Sequence, residues 1–259
     1  MIIVSIPLPT RSSIYFHKNC IRSTKSEIRK VRTIGPIKAL KTRRVNFFTL
    51  YLQPRKIHVQ VTNFNFSPEE EAAISERNFF LLKNSATQKI IELFGQLEVE
   101  ITNEIQQLPI DLKEMNFSRN KIFRGENYKL YPYIILDCPR IFSISNVFAF
   151  RTMFWWGHEF SFTLHLQGDA LEIYRKSLSN NFNILSNNEV FFCVNDTPWQ
   201  YDFNKENYLP FENIIDRKQE LLTKPFVKLS RKLNINSHTK VCKYGIDSFK
   251  LFMKLLKEY

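Results

Sequence analysis

Three residues in the middle of the chain carry side chains suited to binding or catalysis: Asp137, Arg151 and His165. Arg151 lies within Phe148–Trp156, a segment that is otherwise mostly aromatic and apolar. A guanidinium among apolar side chains loses hydration, which only a carboxylate or a bound anion can replace. Asp137 is the nearest acid in a neighbouring predicted strand, followed by Glu126. Arg151 is therefore expected to face inward, either in a buried Arg–Asp pair or in an anion-binding pocket.

A predicted hairpin positions these side chains. Glu159–Gln167 alternates strictly between polar and apolar residues, and Asn146–Trp156 is rich in aromatic and β-branched residues, so both are predicted strands. Gly157-His158 between them fits a two-residue type II′ turn with glycine at the first central position. The register that follows pairs Trp156 with Glu159, Thr152 with Thr163, Arg151 with Leu164, and Phe150 with His165.

Opposed residues of antiparallel strands share a face, so this register separates Arg151 from His165. The first face combines Arg151 with apolar side chains: Ala149, Met153, Trp155, Phe160, Phe162, Leu164 and Leu166. The second face sets aromatic rings beside a polar row: Phe148, Phe150, Phe154 and Trp156 with Ser161, Thr163 and His165. These rings are expected either to form core beneath a helix or to line a mostly apolar cavity with a few polar groups.

The candidate binding residues are accordingly Asp137, Arg151, Trp156, Thr163 and His165. They favour a non-catalytic module that binds a small anionic ligand, or another partner, at an aromatic-lined site around Arg151 and His165. The alternative is a hydrolase or transferase that uses Asp137, Arg151 and His165 on an anionic substrate.

Nucleic-acid binding is a third hypothesis. It rests on a lysine ridge along the last predicted helix: Lys240, Lys243, Lys250, Lys254 and Lys257, with Asp247 among them. Residues 61–259 contain 24 basic and 24 acidic residues. Because their charges balance, we do not expect this part of the chain to bind nucleic acid tightly.

Cofactor and metal motifs are missing from the sequence. With six glycines in the chain, no phosphate-binding or dinucleotide-binding loop is present, and no cofactor is predicted. The four cysteines include no C-x-x-C pair. His158 and His165 are seven residues apart, which places them on opposite sides of a strand, so no metal site is predicted. No stretch approaches the roughly 18 apolar residues of a membrane-spanning helix.

The elements around this hairpin predict an α+β fold, with an antiparallel sheet of about four or more strands packed by amphipathic helices. Further strands are expected at Tyr131–Cys138 and Glu189–Asn195, and residues 110–130 are expected to form a polar loop. The predicted helices run from Pro68, capped by Ser67, to about Leu82; from Asn84 or Ser85 to Leu108; from Asp169 to about Ser179; over 211–222; and from Thr239.

The first 60 residues differ in composition from the rest of the chain. They contain thirteen Lys and Arg residues and a single acid, Glu27, and they show no sustained hydrophobic periodicity. Three explanations are open: a mis-assigned start codon, an organelle-targeting peptide, or a basic arm for nucleic acid or anionic membrane. On each of them, 61–259 is the single globular domain and 1–60 is dispensable for its folding.

Several short runs resemble an uncharacterised family of soluble Bacteroidota proteins. The runs are Arg124-Gly125-Glu126-Asn127-Tyr128, Tyr131-Pro132-Tyr133, Leu136-Asp137-Cys138-Pro139-Arg140, Phe148-Ala149-Phe150-Arg151, Phe154-Trp155-Trp156-Gly157 and Thr163-Leu164-His165-Leu166. The resemblance covers about 68–259 and does not include the basic segment. This extent is what a mis-assigned start codon would produce. It implies a cytoplasmic bacterial protein and supplies no activity and no catalytic residues.

Overall fold

A seven-stranded antiparallel sheet is the centre of the fold, and it confirms the predicted α+β class. The computed structural model describes residues 65–108 and 118–257, so the predictions for 1–60 lie outside the described residues. The strands are β1 (Lys121–Tyr128), β2 (Tyr131–Phe142), β3 (Val147–Trp155), β4 (Glu159–Gln167), β5 (Phe191–Cys193), β6 (Tyr208–Pro210) and β7 (Phe226–Asn234). The α-helices are α1 (Pro68–Ser75), α2 (Arg77–Gln107), α3 (Asp169–Asn181), α4 (Lys218–Leu222) and α5 (Val241–Leu255).

The strands lie in the order β1-β2-β3-β4-β7-β5-β6. The first four follow one another as hairpins, and the last strand in sequence, β7, inserts between β4 and β5. Short 3-10 helices at Phe182–Leu185, Phe211–Asn213, Ile215–Arg217 and Ile235–Lys240 complete the connections. This strand order places β3, β4 and β7 at the middle of the sheet, where most of their residues are buried on both faces.

Helices α2 and α5 pack on one face of the sheet and form the main core with it. In α2 the buried residues Phe94, Leu97 and Ile101 recur at spacings of three and four, as an amphipathic helix requires. Phe150 of β3 contacts Phe249 of α5, with ring centroids 5.3 Å apart. Each such fully buried side chain stabilises the fold by about 1.5–3 kcal/mol.

The helix boundaries show which local sequence signals predicted the structure correctly. The Ser67 side chain accepts from the Glu70 N–H and the Glu70 side chain accepts from the Ser67 N–H, so the predicted capping box is confirmed. The helix ends at Ser75, not near Leu82, and the next begins at Arg77 rather than at Asn84 or Ser85. Asp169 is the first residue of α3, and Gly168 occupies the cap position instead.

Two strands differ from the predictions: β1 lies where a loop was expected, and β7 was not predicted. Residues 121–128, expected to lie in a polar loop, form β1 and pair with β2. Because β1 is an outer strand in which each residue is exposed or only half-buried, its charged residues are compatible with a sheet. β7 was not predicted, although Val227 and Leu229 alternate with the polar residues Lys228 and Ser230 as in a strand; both polar residues are buried.

Candidate functional site

The register of the β3–β4 hairpin decides which candidate residues meet, and the predicted register is wrong by one residue. Arg151 pairs with Thr163, and Phe150 pairs with Leu164. The loop has three residues rather than two, because the His158 N–H donates to the Trp155 carbonyl (3.1 Å) and closes a turn whose third residue is Gly157. Gly157 has φ of +73°, the conformation that a type II turn demands at its third position.

A shift of one residue exchanges the faces of one strand relative to the other. Phe148, Phe150 and Phe154 now share a face with Phe160, Phe162 and Leu164, and this face is the core beneath α2 and α5. The opposite face carries Arg151 together with Ser161, Thr163 and His165. The structure therefore brings together Arg151 and His165, which the predicted register had separated.

Two adjacent rows of paired residues cross this second face. The first row runs Asp137, Arg151, Thr163, Ser230 across β2, β3, β4 and β7. The second runs Arg140, Ala149, His165, Lys228 across the same strands. A bulge in β2 between Asp137 and Arg140 shifts the pairing with β3 there, so that both residues face the same side. We use the term polar cluster for Asp137, Arg151, Thr163, His165, Tyr201, Lys228 and Ser230.

Arg151 and Asp137 form a two-pronged ion pair, which confirms that Arg151 is paired with an acid. Arg151 Nε donates to Asp137 Oδ1 at 2.7 Å and Nη2 donates to Oδ2 at 2.8 Å. The remaining prong, Nη1, donates to the Tyr201 hydroxyl. Burial is the largest influence on the pKa of Arg151 and acts to lower it, but the hydrogen bonds and charge interactions with Asp137 and Tyr201 together outweigh burial and raise the pKa. All three prongs of the guanidinium are therefore satisfied within the protein.

His165 lies beside this pair and is only 3% exposed. Burial lowers its pKa to about 3, and the positive charges of Lys228 and Arg151 act in the same direction, so the ring is neutral at neutral pH. Its edge contacts the rings of Trp199 and Phe226, and its Nε2 has no hydrogen-bond partner among the described residues. Within the same ranges no carboxylate is hydrogen-bonded to His165, so the arrangement lacks a His–carboxylate pair for acid–base catalysis.

The sequence analysis missed Tyr201, Lys228 and Ser230 of this cluster, and Lys228 is the charged residue among them. It is completely buried, and its Nζ donates to the Pro198 carbonyl (2.7 Å) and to the Gln200 carbonyl. Its Nζ also lies over the Tyr201 and Tyr208 rings, 4.4 and 5.0 Å from their centroids. Burial lowers the pKa of Lys228 to about 8. The alternation of Val227 and Leu229 with Lys228 and Ser230 indicates a strand but predicts that Lys228 faces solvent, whereas in the structure both faces of this part of β7 are buried.

Residues 194–207, between β5 and β6, cross over the polar cluster, and we call them the strap. The Tyr201 N–H donates to the Tyr128 hydroxyl at 2.7 Å, and this hydroxyl donates to Asp202 at 3.0 Å. Lys129 binds the same carboxylate at 2.6 Å. Through these contacts β1 and its turn hold the strap over Arg151 and Lys228. Trp199, by contrast, is 51% exposed on the outside of the strap.

Trp156, the fifth candidate residue, lies elsewhere. It is half-buried on the helix side of the sheet, where its ring contacts Phe154 with centroids 5.3 Å apart. There it lines an open groove of about 490 Å³ between α2, the β3–β4 hairpin and the 3-10 helix after β7. We call this the hairpin groove; its apolar lining consists of Ala86, Ile90, Leu93, Phe154, Trp156, Phe160 and Ile235.

Polar side chains occur only at the edges of the hairpin groove: Lys89, Glu92, Gln96, His238 and Thr239. Glu92 accepts a hydrogen bond from Gln88 at 3.1 Å, whereas Lys89 has no ion-pair partner among the described residues. The groove thus offers an apolar floor and, as far as the described residues show, an unpaired positive charge at Lys89.

The lysine ridge of α5 is partly neutralised. Lys243 pairs with Asp247 at 3.0 Å, and Lys250 pairs with Glu104 of α2 at 2.9 Å. Over the described ranges, no three His, Cys, Asp or Glu side chains are grouped as a metal ion would require. In those ranges no helix combines the length and hydrophobicity needed to cross a membrane.

Comparison with known proteins adds no further constraint. The chain matches no protein-family model, no curated protein and no solved structure. The resemblance to Bacteroidota proteins therefore stays a prediction.

Proposed function

We propose that the protein is a non-catalytic binding module that takes a small amphiphilic molecule, with an apolar body and one anionic group, in the hairpin groove. The observation that carries this proposal is the groove itself, an open cavity of about 490 Å³ with an aromatic floor. Its volume lies within the ~300–1,000 Å³ typical of small-molecule sites, which are mostly apolar with a few polar groups. The polar cluster, in contrast, lies closed beneath the strap.

The lining of the groove defines the body of the ligand. Trp156 is half-buried beside Phe154 and faces Ile90 and Leu93 of α2 across the groove. A flat ring or short alkyl chain inserted there removes apolar surface from water on both sides, at roughly 25 cal/mol per Å². Aromatic contacts with Trp156 would add about 0.5–1.5 kcal/mol.

Lys89 defines the charged end of the ligand. Its ammonium is at the groove's edge and lacks an ion-pair partner in the described part of the chain, so a carboxylate, sulfonate or phosphate on the ligand would complement it. An exposed pair of this kind contributes under about 1 kcal/mol, so the apolar body supplies most of the affinity. The cytoplasmic location that the Bacteroidota resemblance implies belongs to the same proposal.

The test uses two fluorescent dyes of similar shape, anionic 8-anilinonaphthalene-1-sulfonate and neutral N-phenyl-1-naphthylamine. We expect both to bind the full chain with one dominant site, and Trp156→Ala to weaken both by about tenfold. Lys89→Met is expected to weaken the anionic dye and to leave the neutral dye unchanged.

Trp199→Ala is the matched control, because Trp199 is an exposed tryptophan far from the lining of the groove. Trp156→Ala in turn distinguishes the groove from the exposed apolar residues at the start of α2, Phe79–Leu82, because dye bound there would be unaffected by that substitution. Equal affinities of both dyes for the wild type and Trp156→Ala would contradict the proposal.

A further inference from the structure

Lys228 is a buried positive charge without an acidic counterpart. Within the described ranges no ion pair includes it, and its Nζ is satisfied by backbone carbonyls of the strap and by two aromatic rings. An isolated ammonium is among the most costly groups to bury. Asp137 does not compensate for it, because both oxygens of Asp137 are engaged by Arg151. The polar cluster therefore carries an excess positive charge at Lys228.

Two further polar groups beside Lys228 lack partners. His165 is its direct neighbour across the β4–β7 pair, and the His165 Nε2 is buried without a hydrogen bond. Tyr208, whose ring lies beneath the Lys228 ammonium, is 2% exposed and its hydroxyl is likewise unpartnered among the described residues. Native structures rarely leave buried polar atoms unpaired, so such a group calls for an explanation. Here two of them flank one uncompensated cation.

The strap supplies Lys228 with two acceptor oxygens that a ligand could replace. The Pro198 and Gln200 carbonyls both accept from Nζ, as the two oxygens of a carboxylate or phosphate would. The strap contains no helix or strand, and it connects two strands of three residues each, of which β6 is the border of the sheet. Its displacement would uncover the polar cluster without disturbing the central strands.

We propose that Lys228, His165 and Tyr208 form a binding site for a small oxyanion, whose oxygens take the place of the strap carbonyls when the strap is displaced. Lys228 provides the charge, Tyr208 donates its free hydroxyl, and His165 donates from Nε2 in the corresponding neutral tautomer. The Arg151–Asp137 pair keeps the neighbouring row of the sheet rigid and does not itself bind the anion. This site is separate from the hairpin groove and does not depend on the function proposed for it.

The structure offers a closely matched control in Lys224. Its Nζ also holds the strap through two carbonyls, those of Val194 (2.8 Å) and Asn195 (2.9 Å). It is half-buried and lies outside the polar cluster. Lys224→Met thus loosens the strap and keeps the anion site, whereas Lys228→Met loosens the strap and removes the site.

The experiment titrates the full chain with inorganic phosphate in one arm and with succinate in the other, at constant ionic strength held with chloride. We expect the melting temperature to rise with at least one of them and the emission of Trp199, on the strap, to shift to longer wavelength as the strap moves. Affinity is expected to persist or increase in Lys224→Met, because less free energy is needed to open the strap. It should fall by about a hundredfold or more in Lys228→Met.

Tyr208→Phe keeps the test decisive if Lys228→Met does not fold. Removing a hydroxyl for which the described residues provide no hydrogen-bond partner should change the melting temperature by no more than a few degrees while weakening anion binding by about tenfold. The proposal is wrong if neither phosphate nor succinate shifts the wild type, if Lys224→Met and Lys228→Met lose affinity equally, or if Tyr208→Phe binds as the wild type does. A response confined to phosphate or to succinate identifies the oxyanion.

Discussion

Replacing Arg151 by methionine tests the internal architecture of the polar cluster most directly. Methionine keeps an unbranched apolar stem but removes all three prongs of the guanidinium. Asp137, whose side chain is 3% exposed, then loses both hydrogen bonds from Arg151 and remains as a buried carboxylate without a cation in contact. The Tyr201 hydroxyl loses its donor as well.

The expected cost follows from the burial of the pair. Breaking a buried ion pair by removing one partner costs about 3–5 kcal/mol, since the remaining charge is left uncompensated. For a domain of this size, each kcal/mol lowers the melting temperature by about 2–4 °C, so a decrease of roughly 6–20 °C is expected. By contrast, Lys243→Gln breaks an exposed pair with Asp247 and should cost under about 1 kcal/mol.

Urea denaturation monitored by circular dichroism measures these costs, and the double variant Arg151→Met/Asp137→Leu identifies their origin. Removing both charges leaves no stranded carboxylate, so the double variant should recover most of the stability that Arg151→Met loses. A loss below about 1 kcal/mol in Arg151→Met would refute the reasoning, because an arginine that awaits an external anion is dispensable to the fold. Equal losses in the single and double variants would show that packing, not charge, sets the cost.

Three further predictions concern other parts of the chain. Because the folded pKa of His165 is about 3, below its unfolded value of about 6.5, the unfolded chain binds more protons between these values. Stability should therefore fall as pH drops from 6.5 towards 3, by up to about 1.4 kcal/mol per pH unit, and His165→Gln should flatten this dependence in urea titrations. An unchanged pH profile in that variant would contradict the burial argument. The lysine ridge should bind mixed DNA or RNA oligomers with a dissociation constant of only about 10⁻⁴ to 10⁻⁶ M, and added salt should abolish it. Sub-micromolar binding by residues 61–259 at physiological salt would overturn that expectation. A chain that begins at Val61 should melt within a few degrees of the full chain, whereas aggregation would show that 1–60 belongs to the fold.

Much of the fold could be predicted because its strongest patterns are local. Strict alternation in Glu159–Gln167 and three-and-four spacing in α2 arise from buried faces that every strand or helix of that type must have. The Ser67 capping box likewise depends on atoms within one turn. The boundary near Ser75 was missed, because the break between α1 and α2 contains neither proline nor glycine.

The candidate site was harder to predict, because its composition depends on register and on a distant strand. One additional loop residue, Trp156, places Arg151 beside His165, and no count of apolar residues distinguishes the two turns. Lys228 joins them only because β7, about sixty residues further along, inserts next to β4. The strap that closes the cluster has no periodic pattern at all, so the sequence contained no signal for a closed site.

The two outer strands of the described sheet bear on how the protein avoids aggregation. β1 carries Lys121, Arg124 and Glu126 on exposed positions, and its register with β2 shifts after Gly125. At the opposite border β6 has three residues and ends at Pro210, which has no N–H to donate. Charges, a break in register, short length and proline are the features by which natural sheets discourage a second sheet from adding to them. Edge-to-edge polymerisation is thereby disfavoured at both borders, and a single glutamate-to-valine change at 126 would weaken that protection.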